Sequence, residues 1–209
     1  MPHLNNIILI GPLATGKSSI AEQLSSMTGL KNYPVDKLKW YYRFNNGYDI
    51  VKSRSILKSE GFEALLVYAQ HYFTPHDLDH LLKQYNGIID FGATDSHRRD
   101  FKQMKLMQDF LAPYPNVFLI LPYEDEKLSE QVLQNRLRIR YLNDPLKSAV
   151  INSYLKMNAE FLKSAQNKAL SKHIIYANDR PFKDIAEEII TTSHWVKQQQ
   201  SRALKKFVS

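Results

Sequence analysis

The 209-residue sequence predicts a single α/β domain, 1–209, in three layers: a five-stranded parallel sheet with helices on both faces. Three observations lead to this fold class. Short apolar runs alternate with segments of helical periodicity along the chain. The first apolar run ends in a glycine-rich loop that opens a helix. The chain is long enough for one sizeable core, and we expect no second independent domain.

Five segments are predicted as strands because each is short and mainly apolar. They are residues 6–10, 31–35, 88–91, 116–121 and 173–176. Pro34 indicates that the second segment lies at a sheet edge or ends there, because proline cannot donate a ladder hydrogen bond. Ligands on parallel sheets bind beyond the carboxyl ends of the strands, so we expect the functional residues in the loops that follow.

Helices are predicted where apolar residues recur at helical spacing. They cover residues 17–27, 55–73, 98–111, 125–138, 150–170 and 184–190, and a further helix opens at Pro75. Residues 38–85 are rich in Tyr and Phe and contain no strong strand, so we expect a helical insertion after the second strand. Residues 194–209 are polar and basic, and they either extend the last helix or fray.

The loop from Gly11 to Ser18 matches the pattern G-x-x-x-x-G-K-[ST], with an apolar strand before it and an amphipathic helix after it. Glycines let backbone N–H groups turn inward around a phosphate, and the helix N-terminus adds a partial positive charge. Lys17 can reach the β- and γ-phosphates, and the Ser18 hydroxyl can ligate magnesium. The motif therefore predicts a P-loop NTPase fold that binds ATP and Mg²⁺. The expected nucleotide contacts in the loop are Gly11, Ala14, Thr15, Gly16, Lys17, Ser18 and Ser19.

The charge balance is 28 Lys and Arg against 21 Asp and Glu, a formal net charge of +7. A basic surface can attract nucleic acid or membrane, but it also suits a polyanionic small ligand such as a nucleotide. The second interpretation is favoured because the basic residues are spread along the chain and a phosphate-binding loop is present. The chain has no cysteine, and its first apolar run, Ile7–Ile10, is too short for a signal peptide or a membrane span. We expect a cytoplasmic protein without nucleic-acid or membrane partners.

Motifs of other P-loop proteins are missing from the sequence. A GTPase is expected to carry Asn-Lys-x-Asp late in the chain, and none is present. Larger ATPases carry an acidic pair after the third strand, whereas Asp90 is followed by Phe91. The short chain, the helical insertion and the arginine-rich stretch after the fourth strand indicate a small-molecule kinase.

With these features the chain resembles the shikimate kinase-like branch of the nucleoside monophosphate kinase-fold family. The topology is similar over nearly the whole length, but only the P-loop matches closely. The chain also resembles shikimate kinase-like proteins of unsettled substrate through Tyr33-Pro-Val-Asp36, Ile88-Ile-Asp-Phe-Gly92 and Asn135-Arg136. Of the family's Gly-Gly-Gly run after the third strand only Gly92 is retained, so the acceptor stays open.

The resemblance implies an Asp-x-Asp pair at the end of the second strand, with the first aspartate near magnesium and the second near the substrate hydroxyl. Here Pro34 takes the first place, and Asp36 keeps the substrate-side role. Asp90 ends an apolar strand, so we expect its carboxylate to face the P-loop and hold magnesium with Ser18. Two other interpretations stay open: Asp36 as the N-cap of a helix over 37–42, and Asp90 as a strand-end residue that caps a loop.

Residues 136–149 correspond by resemblance to a lid that closes over the phosphates and stabilises the charge of the transferred group. The resemblance implies that Arg136 stacks on adenine and that Arg138 or Arg140 reaches the phosphates, provided that the helix ends there. A solvated basic helix face is the other interpretation. By the same resemblance Pro181 borders the adenine, unless it is a plain turn residue.

The insertion is expected to bind the phosphate acceptor. A mixture of aromatic and basic residues suits an acceptor with a ring and an anionic group, although it is also common on a half-buried helix. The candidate contacts are Trp40, Tyr41, Arg43, Tyr48, Lys52 and Arg54. No function is predicted for Asp95, Ser96 and His97, because residues adjacent in sequence rarely form a hydrolase triad.

Together these features predict an ATP-dependent phosphotransferase that moves the γ-phosphoryl group to a hydroxyl of a small metabolite. Its predicted catalytic residues are Lys17, Asp36, Arg138 and Arg140. Two alternatives stay open. One is a nucleoside or nucleotide kinase, which shares every ATP-side residue, and the other is a non-catalytic protein that binds nucleotide or nucleic acid.

Overall fold

The computed structural model describes residues 3–98, 100–144 and 150–193. Within these ranges five strands form one parallel sheet: β1 (Ile7–Ile10), β2 (Asn32–Pro34), β3 (Ile88–Asp90), β4 (Val117–Leu121) and β5 (His173–Tyr176). Their order across the sheet is β2-β3-β1-β4-β5, so the first strand is central and the carboxyl ends of β3 and β4 flank its own. The predicted α/β fold with a five-stranded parallel sheet is confirmed.

Helices connect the strands and cover both faces of the sheet. They are α1 (Lys17–Thr28), α2 (Val35–Asn45), α3 (Ile50–Ser59), α4 (Phe62–His71), α5 (Pro75–Gln84), α6 (Ala93–Ser96), α7 (Phe101–Leu111), α8 (Glu126–Tyr141), α9 (Ile151–Lys163), α10 (Ala165–Leu170) and α11 (Phe182–Thr192). The α2 to α5 helices lie between β2 and β3, in the segment where the sequence predicts an insertion.

Alternate side chains of β1 enter two hydrophobic cores, one on each face of the sheet. Ile8 and Ile10 belong to one buried cluster, which includes residues of α5, α7, α8, α9 and α10. Ile7 and Leu9 belong to the other, which α1 and α11 cover. Because successive side chains of a strand point to opposite faces, this burial produces three layers. The loop after β1 therefore emerges between two packed layers.

Two helices predicted as continuous are interrupted in the structure. The first is divided into α3 and α4 at Gly61, whose φ of 88° favours glycine and ends the helical backbone. The second, predicted over 150–170, is divided into α9 and α10 at Ser164. Ser164 has an extended backbone, and its hydroxyl accepts a hydrogen bond from the Asn167 N–H at 3.2 Å, which caps α10.

Two helices begin at residues other than those predicted. The helix predicted from residue 98 begins at Phe101, because the Asp100 carboxylate accepts from the Gln103 N–H at 2.8 Å and caps α7 there. The interpretation of Asp36 as a helix N-cap is wrong, because Pro34 is the N-cap of α2 and Asp36 lies inside the first turn.

Two predicted segments reach beyond the described ranges. Residues 145–149 of the predicted lid and the predicted basic tail, 194–209, lie outside the described residues. Within the described ranges no helix is both long and apolar enough to cross a membrane.

Candidate active site

Two glycines shape the loop that follows β1. Gly11 has a φ of 151°, and a Cβ there would overlap the carbonyl oxygen of Ile120 on β4. Gly16 has a φ of 94°, and a Cβ there would lie 2.7 Å from the ring of Phe182 on α11. Both positions exclude a side chain, so the loop packs closely against the sheet and α11. Gly16 is also the N-cap of α1, which places a helix N-terminus at the end of the loop.

The Lys17 side chain folds back into this loop. Its Nζ donates to the carbonyl oxygens of Gly11 at 2.9 Å and Pro12 at 2.8 Å. Burial lowers the pKa of Lys17 from its usual value, and nearby carboxylates, Asp90 foremost, oppose that shift. An ammonium held by carbonyl oxygens can exchange them for phosphate oxygens, which carry more negative charge.

A hydrogen bond between Ser18 and Asp90 joins the first turn of α1 to the end of β3. The Ser18 hydroxyl donates to Asp90 Oδ2 at 2.7 Å. Asp90 is 5% exposed, and its Oδ1 has no hydrogen-bond partner among the described residues. Burial raises the pKa of Asp90, while the positive charge of Lys17 and the Ser18 hydroxyl act in the opposite direction.

Asp36, Lys39 and Asp95 form a charge cluster beside the loop, in which Lys39 and Asp95 are buried and Asp36 is exposed. The Lys39 ammonium binds the Asp36 carboxylate and lies 3.1 Å from Asp95 Oδ1. Asp95 Oδ2 also accepts from the Gly92 N–H at 3.1 Å. A Cβ on Gly92 would overlap Asp36 Oδ1 and lie 2.6 Å from Asp95 Oδ2, so a larger residue there would displace the two carboxylates.

Asp36 is held in its ionised form. Burial acts to raise its pKa, but the Lys39 ammonium, with smaller contributions from Lys17 and Arg43, lowers the pKa below the usual value. The Asp36 side chain is 64% exposed, because it opens into a cavity that solvent enters. The Asp36 carboxylate is thus ionised, accessible to solvent and paired with the buried Lys39. Such a carboxylate can accept a hydrogen bond from a bound hydroxyl.

The loop, the Ser18–Asp90 pair and Asp36 share one cavity of about 400 Å³ at the carboxyl ends of β1 and β3. Its described lining residues are Leu13, Ala14, Thr15, Gly16, Lys17, Ser18, Ser19, Asp36, Asp90, Phe91, Gly92, Ala93, Arg140 and Tyr141. The structure therefore brings together most of the site residues predicted from sequence, including both candidate carboxylates. Gly11 belongs to the same loop through its bond with Lys17.

The donor set beside the loop fits Mg²⁺ that arrives with a nucleotide. Within the described part of the chain, no group of three His, Asp or Glu side chains is placed to hold a metal by itself. Mg²⁺ typically takes one or two carboxylates and completes its shell with substrate phosphates and water. The Ser18 hydroxyl and the buried Asp90 Oδ1, which has no protein partner in the described ranges, match that requirement.

Comparisons with known proteins identify the fold. No protein-family profile and no curated protein matches the sequence. Shikimate kinase from Acinetobacter baumannii, solved in complex with shikimate, aligns with a TM-score of 0.55 and 16% identity over 95% of this chain and 94% of that chain. A gluconokinase from Sinorhizobium meliloti 1021 aligns with a TM-score of 0.52 and 13% identity over 98% and 99% of the two chains. This chain has a shikimate kinase-like P-loop kinase fold. At such identities the likeness shows the fold alone.

Three arginines of α8 take different positions on this P-loop kinase fold. Arg136 lies between the loop after β1 and the loop after β5, with Nη1 3.5 Å from the Ala14 carbonyl oxygen and Nη2 3.0 Å from Asp179 Oδ1. Arg140 lines the cavity. Arg138 is exposed and is not among the described lining residues. The α8 helix continues through Arg138 and Arg140 to Tyr141, so these two side chains, two residues apart, point to different sides of the helix.

Pro181 lies at the N-cap of α11, next to Phe182, whose ring fills the space beside Gly16. Pro181 is therefore near the P-loop in the fold, on the side where Arg136 binds Asp179. A contact with adenine stays a prediction for both Arg136 and Pro181.

The acceptor candidates of the insertion separate into two groups. Arg43 packs over the rings of Trp40 and Tyr48, at 5.1 and 5.5 Å from its guanidinium carbon to the ring centroids. Lys52 and Arg54 lie exposed on α3, and none of the six predicted residues lines the 400 Å³ cavity within the described part of the chain. Arg43 instead lines a small neighbouring cavity together with Asp95.

Sequence reasoning missed three charged residues near the site: Lys39, Asp95 and Arg98. Lys39 follows Asp36 by three positions on one helix, and this spacing was a usable signal for an ion pair. Asp95 was set aside with its sequence neighbours, but its carboxylate contacts Lys39 from across the site. Arg98 follows α6 and is buried, with an exposure of 2%, and no pattern in the sequence distinguishes it from a surface arginine.

Proposed function

We propose that this chain is an ATP-dependent phosphotransferase that moves the γ-phosphoryl group to a hydroxyl of a small metabolite. One observation carries the proposal: the Ser18 hydroxyl is bonded to Asp90 beside Lys17, and Asp36 faces the same cavity. Phosphate-binding groups and a carboxylate suited to an acceptor hydroxyl thus converge on one space. The P-loop kinase fold supports this assignment at the level of architecture.

On the donor side, the chain's own groups neutralise phosphate charge. The loop and the first turn of α1 line the cavity, where their backbone N–H groups would bind phosphate, and Lys17 can turn from the Gly11 and Pro12 carbonyls to phosphate oxygens. Arg140 lines the same cavity and adds a second cation. Such fixed charges lower the barrier because they are in place before the reaction begins.

Ser18 and Asp90 would hold Mg²⁺, which supplies charge neutralisation across the phosphates when it is bound. The sheet register supports the role of Asp90. Pro34, which stands where the related kinases place their magnesium-side aspartate, is the neighbour of Asp90 across the β2–β3 ladder. The carboxylate missing from the end of β2 is therefore replaced by one at the end of the adjacent strand.

Asp36 would orient the acceptor hydroxyl and accept its proton. Its low pKa keeps it ionised at neutral pH, so it acts by positioning the hydroxyl and takes the proton late in the transfer. Lys39 holds Asp36 in place and compensates its charge. Arg140 and Tyr141, at the end of α8, line the cavity, and their approach to a bound nucleotide would exclude water, which limits futile hydrolysis of ATP.

The test is an ADP-release assay against sugar acids, shikimate, nucleosides, nucleotides and aminoglycosides, with wild-type protein and single variants. We expect Lys17→Ala to lower turnover about 10²- to 10³-fold, and Asp36→Asn to lower it about 10²- to 10⁴-fold. Asp36→Asn should keep its ATP affinity, because Asp36 faces the acceptor. Full turnover by Asp36→Asn and Asp90→Asn would show that these carboxylates do not carry the reaction.

A further inference from the structure

A buried asparagine lies on the apolar side of α9. Asn158 is 2% exposed, and its neighbours on that face of the helix, Met157, Phe161 and Leu162, are buried apolar residues. A side-chain amide has both donors and an acceptor, and it is costly to bury unless these groups are hydrogen-bonded. An amide in this position therefore requires a specific partner.

The partner of Asn158 is the loop after β1. Asn158 Oδ1 accepts from the Leu13 N–H at 2.9 Å, and Asn158 Nδ2 donates to the Leu13 carbonyl oxygen at 3.1 Å. The two residues are 145 positions apart in the chain, so they meet only because α9 packs beside the loop. Two bonds to one residue fix the rotation of the two planar peptide units that flank its Cα. Asn158 therefore sets the backbone conformation at Leu13.

The tip of the loop has a backbone conformation that needs support. Lower in the loop, the Thr15 hydroxyl donates to the Pro12 carbonyl oxygen at 3.1 Å, so the loop partly holds itself. Between these two residues, Ala14 has a φ of 65°, in the left-handed region that is unfavourable for a residue with a Cβ. Such a conformation persists where its surroundings impose it. The bonds from Asn158 to the preceding residue, Leu13, supply that constraint.

The bond to the Leu13 carbonyl also orients a phosphate donor. This carbonyl and the Ala14 N–H belong to one trans peptide unit, in which they point in opposite directions. The bond from Asn158 therefore directs the Ala14 N–H away from α9. Leu13 and Ala14 line the cavity of about 400 Å³, whereas Asn158 is not among its described lining residues. Asn158 thus acts on the cavity through the loop.

The α9 helix that carries Asn158 is attached to the helical insertion. The ring of Tyr154 packs against that of Phe62 on α4, with the ring centroids 4.8 Å apart. One turn along α4, Glu63 binds Lys156 at 3.2 Å. Neither contact involves the loop after β1, so α9 has its own support in the fold. A side chain positions another group most precisely when a packed element holds it.

We propose that Asn158 is a positioning residue for the nucleotide, which holds the loop after β1 so that the Ala14 N–H is presented to phosphate. This proposal rests on the proposed function, because it requires the loop to bind ATP. Without Asn158 the loop samples other conformations, and the apparent affinity falls with the fraction of molecules whose loop is competent to bind. A bound nucleotide selects the competent loop, so affinity changes more than kcat.

Binding of Mg²⁺-ADP to the full chain, measured by isothermal titration calorimetry, tests this role without catalysis. We expect Asn158→Ala to weaken ADP binding about tenfold or more. If Asn158→Ala does not fold, Asn158→Asp takes its place. The aspartate keeps the size of the side chain and an acceptor for the Leu13 N–H, but its carboxylate cannot donate to the Leu13 carbonyl.

The matched control is Asn167→Ala. Asn167 on α10 is also buried, and its amide bonds His97 and the Phe161 carbonyl oxygen instead of the loop. We expect Asn167→Ala to lower the melting temperature, as Asn158→Ala does, and to keep the ADP affinity of the wild type. An equal loss of ADP affinity in Asn158→Ala and Asn167→Ala would overturn the proposal, because it would follow from stability alone.

A second substitution in the loop distinguishes positioning from a general loss of packing. Glycine adopts the left-handed conformation without the penalty of a Cβ, so Ala14→Gly should restore competent loops where these are scarce. We expect it to raise the ADP affinity severalfold in Asn158→Ala and by less in the wild type, whose loop is already held. Equal effects in the two backgrounds would overturn the proposal, and so would full ADP affinity in Asn158→Ala.

The ADP-release assay separates this proposal from the proposed function. With an accepted substrate, Asn158→Ala should raise the KM for ATP about tenfold and leave the acceptor KM within about twofold. A raised acceptor KM with an unchanged ATP KM overturns the role of Asn158 while the kinase assignment stands. ADP binding that depends on Asn158, without ADP release from any acceptor, overturns the kinase assignment alone. A wild type that binds no ADP overturns both.

Discussion

Replacing Lys39 by methionine removes the cation that joins the two carboxylates of the charge cluster. Lys39 is 6% exposed, and the Asp95 side chain, 3.1 Å away, is 3% exposed. The methionine fills most of the same volume, so the change is mainly one of charge. After the substitution Asp95 keeps its hydrogen bond from the Gly92 N–H at 3.1 Å but faces no neighbouring ammonium. Asp36, which opens to solvent, is much less affected.

The expected loss of unfolding free energy follows from the burial of Lys39 and Asp95. Breaking a buried ion pair by removing one partner costs about 3–5 kcal/mol, because the remaining charge is left uncompensated. The bond from Gly92 and the positive charge of Arg98, which also acts on Asp95, offset part of it, so we expect Lys39→Met to lower the free energy of unfolding by about 2–3 kcal/mol. The matched control is Lys105→Met. Lys105 pairs with Asp109 at 2.9 Å with both side chains more than half exposed, and such pairs contribute about 1 kcal/mol or less.

Urea unfolding of four proteins measures the effect: the wild type, Lys39→Met, Asp95→Asn and the double variant. The double variant should recover more than half of the loss, because it leaves no buried charge at Asp95. A loss below about 1 kcal/mol for Lys39→Met would refute the reasoning, since it is the value of a surface pair. A double variant as unstable as Lys39→Met would also refute it.

Three further predictions concern the site. Lys39 lowers the pKa of Asp36, so Lys39→Met should move the acid limb of kcat/KM to higher pH; an unmoved limb would separate Asp36 from the reaction. Burial raises the pKa of Asp90, so the stability it contributes is present at low pH and is lost as pH rises through that pKa. Asp90→Asn should thus gain unfolding free energy relative to the wild type between pH 4 and pH 7 while turnover falls; a difference constant with pH would contradict this. Arg140→Ala should lower turnover at least tenfold, whereas Arg138→Ala should stay within twofold; equal effects of the two substitutions would contradict this assignment of Arg140 to the site and Arg138 to the surface.

Local patterns predicted the loop after β1, which is the proposed donor side of the site. The apolar run before Gly11, the loop motif and the helix after it are contiguous in sequence, so their arrangement follows from backbone geometry. The expectation for Asp90 had the same basis, because the last residue of a buried parallel strand lies at the ligand-binding edge. Helix boundaries were less predictable. Gly61, Asp100 and Ser164 end or cap helices through single conformations and hydrogen bonds that periodicity does not reveal.

The acceptor side depends on contacts between segments distant along the chain. Asp95 reaches Lys39 across 56 positions, and this contact exists only because β3 packs beside β2. Arg98 resembles any surface arginine in sequence, and only the packed structure shows that it is buried beside Arg43. The Arg98 guanidinium is removed from water, and the extent of its burial depends on every element that packs around it.

The sequence by itself determined the parallel α/β architecture, the glycine-rich loop after β1 and the carboxylate at the end of β3, because periodicity, glycine geometry and strand ends are local properties. Only the tertiary structure decided that Asp90 hydrogen-bonds Ser18 and lies across from Pro34, that Arg140 rather than Arg138 lines the cavity, and that a buried cation lies behind Asp36. The physical reason is that burial and charge compensation are set by the sum of neighbours in space.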